Sequence, residues 1–110
     1  MSAPFVTGLR SRKQTIHLSP EGAGAITIRV EMPDVWDVVR IVVAPTEPVL
    51  AVKVAALQAL YPQASAALHG DFIIKLRGWE ILDEAASLAD AGVIDGSILL
   101  LTFRRRRPVR

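Results

Sequence analysis

Few side chains in this 110-residue chain stand in patterns that could do chemistry. His17 and His69 could each bind a metal or move a proton, but they lie 52 residues apart. Neither has partners at metal-ligand or acid–base spacing, so both read as ordinary surface residues. Asp83-Glu84 and Asp90 with Asp95 have the look of paired carboxylates. Asp is favoured in turns, and solvated turn positions explain these residues better. Gly22-Ala23-Gly24 has the look of a phosphate loop, yet it precedes a strand and lacks the third Gly and the Lys-Ser/Thr pair that hold phosphate. It is a linker. There is no Ser-centred nucleophile elbow. The absence of Cys excludes disulfides, thiolate zinc sites, cysteine nucleophiles and a thioester on the chain itself. No catalytic residue, metal or cofactor is expected, and the chain reads as non-enzymatic.

Charge is informative once it is divided along the chain. The formal total is +2, with 51% hydrophobic and 22% charged residues, the balance of one folded domain. Arg10, Arg12 and Lys13 give the first 13 residues +3, and Arg104, Arg105, Arg106, Arg107 and Arg110 give the last seven +5. The remaining five basic residues face all 11 acidic ones, so residues 14–103 carry −6. An acidic body has two basic ends. The arginine run has three readings: a solvated tail, a contact to an anionic membrane surface or a protein partner, and nucleic-acid binding. A membrane contact would gain about 1 kcal/mol per basic residue near an anionic leaflet. Nucleic acid is disfavoured, because no aromatic interleaves the run and the acidic body would repel a polyanion. No secretory signal or spanning segment is visible, since Arg40, Glu47 and Lys53 interrupt the most apolar region. A cytoplasmic protein is expected, with the soluble head of a longer chain continuing past Arg110 as the alternative.

The elements that would position these residues follow from periodicity. Residues 1–24 read as an N-terminal arm ending in a small-residue linker, in which Thr15-Ile16-His17-Leu18 could add a short strand. Ile26-Thr27-Ile28-Arg29-Val30-Glu31-Met32 alternates strictly and puts Ile26, Ile28, Val30 and Met32 on one buried face. Pro33-Asp34 breaks the run. Val38–Val43 is β-branched, with Val39, Ile41 and Val43 inward if Arg40 meets water, and it completes a hairpin. Thr46 is the expected N-cap of a helix, Glu47 suits its positive end, and Pro48 belongs to its first turn. Val49, Val52, Ala56, Leu57 and Leu60 fall on one face, and Pro62 ends the helix. Phe72–Arg77 is a strand with Ile74 and Leu76 opposite Lys75 and Arg77. Gly78 bends the chain, and Trp79-Glu80-Ile81-Leu82 offers a short fourth strand. Ser87–Gly92 reads as one helical turn closed by Gly92, and Asp95-Gly96 turns the chain into Ser97–Phe103. The order strand, strand, helix, strand, short strand, strand describes a two-layer α+β domain.

Residues 72–103 carry a resemblance. Leu88-Ala89-Asp90-Ala91-Gly92-Val93, then Asp95-Gly96-Ser97 and a hydrophobic strand, resembles the "Leu-Ser-Asp … Gly-Asp/Ser … Leu" run of ubiquitin-like β-grasp domains. It spans about residues 26–103, and the domain is drawn over 25–103 with a basic tail at 104–110. The resemblance implies a ubiquitin-like β-grasp fold (ββαββ, a mixed sheet packed on one helix). The closing strand would then lie parallel to the first, and Leu99 and Leu101 would share the core with Ile28, Val30, Ile74, Leu88 and Val93. Within the family the chain is most similar to small bacterial ubiquitin-like domains of type VII secretion: the YukD/EsaB type and the N-terminal heads of EccD membrane subunits. Its Ala/Val/Arg-rich composition suits a bacterium of high genomic GC content.

Two departures from the family shape the functional reading. Conjugated modifiers end in Gly-Gly, because an activating enzyme must reach the terminal carboxylate; Arg104-Arg105-Arg106-Arg107 stands there instead. Lys75 occupies the outward position where ubiquitin's binding patch has Ile, with Leu100 and Thr102 beside it. If Leu99 and Leu101 are inside, Ile98 and Leu100 are outside, and Gly78 presents Trp79 at a bend; Trp36 lies in the hairpin connection. The expectation is a non-catalytic protein-interaction module, an accessory component of a type VII-like secretion system. Its protein-binding residues are Trp79, Lys75, Ile98 and Leu100, and its partner a secretion-machine component or itself. The alternative is a bacterial ubiquitin-like modifier in a conjugation pathway.

Overall fold

Strict alternation produces the central hairpin. In the computed structural model, which describes residues 15–20, 22, 24–63 and 66–104, Ile26–Met32 forms strand β2 and Asp37–Val43 forms β3. They pair antiparallel from Ile26 opposite Val43 to Met32 opposite Asp37. Ile28, Val30, Met32, Val39, Ile41 and Val43 are buried, while Arg29 and Arg40 on the other face are exposed. The connection is a 3-10 turn, Pro33–Val35, closed by Trp36 at φ 56. Left-handed backbone costs a residue bearing Cβ about 1–2 kcal/mol, and Trp36 is 93% exposed, so no packing compensates it. Asn tolerates this conformation. Trp36→Asn is therefore expected to stabilise the fold by about 1 kcal/mol, raising the thermal midpoint by about 4–8 °C. A melting curve displaced downwards would show that the indole holds the hairpin together.

The structure contains the short strand offered at residues 15–18 and departs from the sequence reading at three places: the outward side of β3, the helix start and the fourth strand. Thr15–His17 does form a strand, β1, parallel to β3 with Ile16 opposite Ile41. Leu18 N–H donates to the Val42 carbonyl at 2.8 Å and Ala44 N–H to the Ser19 hydroxyl at 2.9 Å. With β1 on one side and β2 on the other, β3 is an interior strand, and Val42 is buried although alternation aims it outward. Residues 1–14 of the expected arm, and Arg105, Arg106, Arg107 and Arg110 of the tail, lie outside the described residues.

The second correction concerns the helix start. Val49–Leu60 forms α1, and its N-cap is Pro48 rather than Thr46, with no side-chain cap. Val49 N–H donates to the Ala86 carbonyl at 2.9 Å and Leu50 N–H to the Glu84 carbonyl at 2.8 Å. A neighbouring loop thus satisfies first-turn donors that a capping hydroxyl would otherwise meet. At the other end Tyr61 N–H reaches the Leu57 carbonyl before Pro62 stops the helix, as expected.

The third correction is the short fourth strand. Phe72–Leu76 forms β4, and the chain reverses through Arg77 (φ 52) and Gly78 (φ 85), a two-residue turn with both φ positive. Strand β5 is then only Trp79–Glu80. Ile81 N–H still donates to the Ile74 carbonyl at 2.8 Å, but Leu82 is exposed beyond the ladder. Ser87–Gly92 makes the expected helical turn, with Ala91 N–H on the Ser87 carbonyl and Gly92 closing it at φ 93.

Strand β6, Ile98–Phe103, lies between β2 and β4. It runs parallel to β2, Leu99 beside Val30, and antiparallel to β4, Leu101 beside Ile74. Leu99 and Leu101 are fully buried with Ile28, Val30, Ile74, Leu88 and Val93, the set the resemblance implied. Val49, Val52, Ala56, Leu57 and Leu60 of α1 complete this core. The result is a two-layer α+β fold, a mixed six-stranded sheet in the order β1-β3-β2-β6-β4-β5 with one α-helix on one face.

Candidate protein-interaction surface

The sheet has an inner face against α1 and an outer face that α1 does not touch. Alternation in β6 puts Leu99 and Leu101 inward, and therefore Ile98, Leu100 and Thr102 outward. Strand register lays a row across that outer face: Val38, Glu31, Leu100, Lys75 and Glu80, each opposite the next. Lys75 and Leu100 are thus direct cross-strand neighbours, both half-buried, and Ile98 stands two residues along the same strand at 49% exposure. Opposite Ile98 on β2 is Arg29, and opposite Arg29 on β3 is Arg40. The structure brings Lys75, Ile98 and Leu100 together.

Trp79 is not part of that group. It pairs with Leu76, whose side chain belongs to the core, so the register aims Trp79 to the inner side of the sheet edge. It is 80% exposed and borders an open depression of about 280 Å³ with Leu76, Arg77, Ile81 and Ala91. A second open depression, of about 320 Å³, lies at the β2–β3 connection between Glu31, Pro33, Trp36, Asp37 and Val38. Glu31 and Val38 are outer-face residues, so Trp36 borders the outer face and Trp79 does not. Both depressions are open to solvent, unlike the enclosed clefts that bury a small ligand.

The chemistry of the remaining polar groups is structural. Asp34 Oδ2 accepts from Phe103 N–H at 3.1 Å, tying the hairpin connection to the end of β6. Asp95 Oδ1 accepts from Thr27 N–H at 2.8 Å. Asp83 Oδ1 accepts from Ala85 N–H, and Ser87 Oγ from Asp90 N–H, which are the turn roles expected of them. Arg104, the first residue of the basic tail, donates from Nη2 to Glu80 Oε2 at 2.9 Å; at 54% exposure this pair is worth little. Among the described residues no group of His, Asp and Glu gathers as a metal site would require, and no helix is long and apolar enough to cross a membrane.

Sequence reasoning missed the one buried charge among the described residues. Lys53 on α1 is 3% exposed, and its Nζ donates to both Glu84 carboxylate oxygens, at 3.1 and 2.9 Å. The signal was present: Lys53 follows Val52 and precedes Ala56 and Leu57, inside the apolar stripe rather than opposite it.

No family model matches the chain, and no curated protein matches it in sequence. Solved structures do match in fold, and they are ubiquitin-like. Ubiquitin of Caldiarchaeum subterraneum is similar over 77% of this chain and all of its own, with a TM-score of 0.61 and 20% identity. The ubiquitin-like domain of an Arabidopsis thaliana protein covers 86% of this chain and 93% of its own, at TM-score 0.59 and 17% identity. The C-terminal ubiquitin-like domain of human 2′-5′-oligoadenylate synthetase-like protein covers 84% and 98%, at TM-score 0.60 and 16% identity. The chain has the ubiquitin-like β-grasp fold. At these identities the likeness is one of fold.

Proposed function

We propose that the protein is a non-catalytic ubiquitin-like interaction module that receives a protein partner on the outer face of its sheet, at Ile98, Leu100 and Lys75. The observation that carries this reading is the pair of outward positions on β6. On a face that meets water, alternation favours polar residues, yet both Ile98 and Leu100 are aliphatic and Ile98 is half exposed. A central strand flanked by charged neighbours, with an apolar stripe along it, is the anatomy of a docking patch with a polar rim. Lys75 makes the patch different from one centred on an aliphatic residue in β4. Trp79 serves as a separate contact at the edge of the sheet, where a large exposed aromatic suits an anchor role.

The likeness of the chain, within the ubiquitin-like family, to small bacterial domains of type VII secretion is the ground for placing the module in a type VII-like secretion machine, as an accessory component. The test is a pull-down from the host with the full chain as bait and identification of what is retained. Secretion-machine components should be recovered with the wild type and reduced at least tenfold with Leu100→Asp, the loss expected of a hot-spot residue. Circular dichroism should show Leu100→Asp folded. Equal recovery by the two baits overturns the surface assignment; recovery of partners unrelated to secretion overturns the pathway.

A further inference from the structure

Arg29 and Arg40 stand directly opposite each other on the outer face. The spacing is the close one. Arg29 N–H donates to the Ser97 carbonyl, on the β6 side, so towards β3 this is a non-hydrogen-bonded pair. In antiparallel sheets such pairs bring side chains nearest together. Two like charges placed so oppose folding, and little offsets them here. Arg29 has Glu31 at 3.8 Å, at the far limit of an ion pair, and among the described residues Arg40 has no acidic partner. A cleft of about 170 Å³ opens beside them, lined by both arginines, Thr27 and Ile98.

We infer that the Arg29–Arg40 pair is an anion-recognition site for an acidic peptide segment of the partner, one that places a carboxylate between the guanidiniums and an apolar side chain on Ile98. The inference rests on the docking surface proposed above and specifies the chemistry of what docks there. Carboxylate is the complement of two adjacent guanidiniums, which present fixed forks of donors. Ile98, opposite Arg29 on the next strand, adds an apolar contact that a bare anion would not use. A nucleic acid fits less well. It needs a track of positive charge and, for single strands, stacking aromatics. Here there are only two arginines facing each other and, among the described residues, no exposed aromatic pairs with either of them in the sheet.

The test uses the full chain and a fluorescein-labelled dodecapeptide of alternating glutamate and leucine, with binding followed by anisotropy. Wild-type protein should bind it, and should bind the glutamine-for-glutamate version at least tenfold more weakly. Arg40→Glu should weaken binding of the acidic peptide at least tenfold while raising the thermal midpoint, because it turns a like-charged pair into an opposite-charged one. Arg105→Gln combined with Arg106→Gln and Arg107→Gln should change affinity less than threefold, which separates this site from the tail. Unchanged affinity in Arg40→Glu overturns the proposal, as does tighter binding of a single-stranded oligonucleotide of equal charge. Loss of binding in Leu100→Asp with full binding in Arg40→Glu would leave the docking surface standing and remove acid recognition from it.

Discussion

Glu84→Ala is expected to cost about 3 kcal/mol. The magnitude follows from what it leaves behind. Lys53 is 3% exposed in the middle of α1, so its ammonium is shielded from water and depends on Glu84 of the neighbouring loop for its counter-charge. With Glu84 present the ammonium donates to both carboxylate oxygens. Without it, a charge remains buried with no counter-charge, and removing one partner of a buried pair costs about 3–5 kcal/mol. Glu84 is 24% exposed on its side chain, so water can partly replace it, which sets the expectation at the lower end. Glu84 also contributes backbone: its carbonyl accepts from Leu50 N–H in the first turn of α1. Substitution of the side chain leaves that bond in place, so the measured loss reports on the ion pair. Urea unfolding provides the measurement, read as a lower midpoint at unchanged slope. Adding Lys53→Met to Glu84→Ala should recover most of the loss, since a linear apolar side chain of similar length fills the same channel without a charge. If Glu84→Ala costs less than 1 kcal/mol, or if Lys53→Met deepens the loss, the ion pair adds little to the backbone bonds that hold the loop 81–86 on the helix.

Much of the fold was legible because its strands alternate cleanly. Ile26–Met32 and Phe72–Leu76 place their apolar residues on one face, so buried positions follow from period two alone. Ile98 and Leu100 were legible as outward residues for the same reason. The Thr46 cap was misread because local sequence cannot reveal that a loop nearly forty residues later supplies the acceptors. The burial of Val42, beside His17 of β1, does not follow from period two within β3, and the β1–β3 pairing that flanks it spans about 25 residues. Trp79 was grouped with Leu100 because both were expected to be exposed. Exposure is a property of one residue, whereas a shared face is a property of register, and the turn at Arg77-Gly78 puts Trp79 opposite Leu76 rather than Lys75. The Arg29–Arg40 pair was within reach of a closer reading. A hairpin folded about residues 33–36 pairs positions symmetrically around that connection, and 29 and 40 are symmetric about it.

Phe72→Ala is expected to cost about 3–5 kcal/mol, a large share of the 5–15 kcal/mol that holds a typical domain together. Phe72 opens β4 at 2% exposure and lies edge-on to two other rings: Tyr61 at 5.9 Å, just past the end of α1, and Phe103 at 5.2 Å, the last residue of β6. It therefore joins the C-terminal end of the helix to the C-terminal end of the closing strand, and among the described residues it is the one buried aromatic. Truncation would leave a cavity bordered by partners that cannot both collapse into it, since Tyr61 is held by its backbone bond to Leu57 and Phe103 by register opposite position 72. Phe103→Ala is the matched comparison. At 48% exposure it should cost only about 0.5–1.5 kcal/mol, most of it the ring–ring contact. The double variant should then show coupling of about 0.5–1.5 kcal/mol between the two sites. Equal losses for Phe72→Ala and Phe103→Ala would mean that the ring at 72 is not part of the core. The functional consequence follows from position. Leu100 and Ile98 are presented by the same strand that Phe103 ends, so fraying from the Phe72 side should weaken partner binding even though neither phenylalanine belongs to the docking surface. Binding by Phe72→Ala should therefore fall as temperature approaches its lowered midpoint, whereas Leu100→Asp should fail to bind at every temperature at which it is folded.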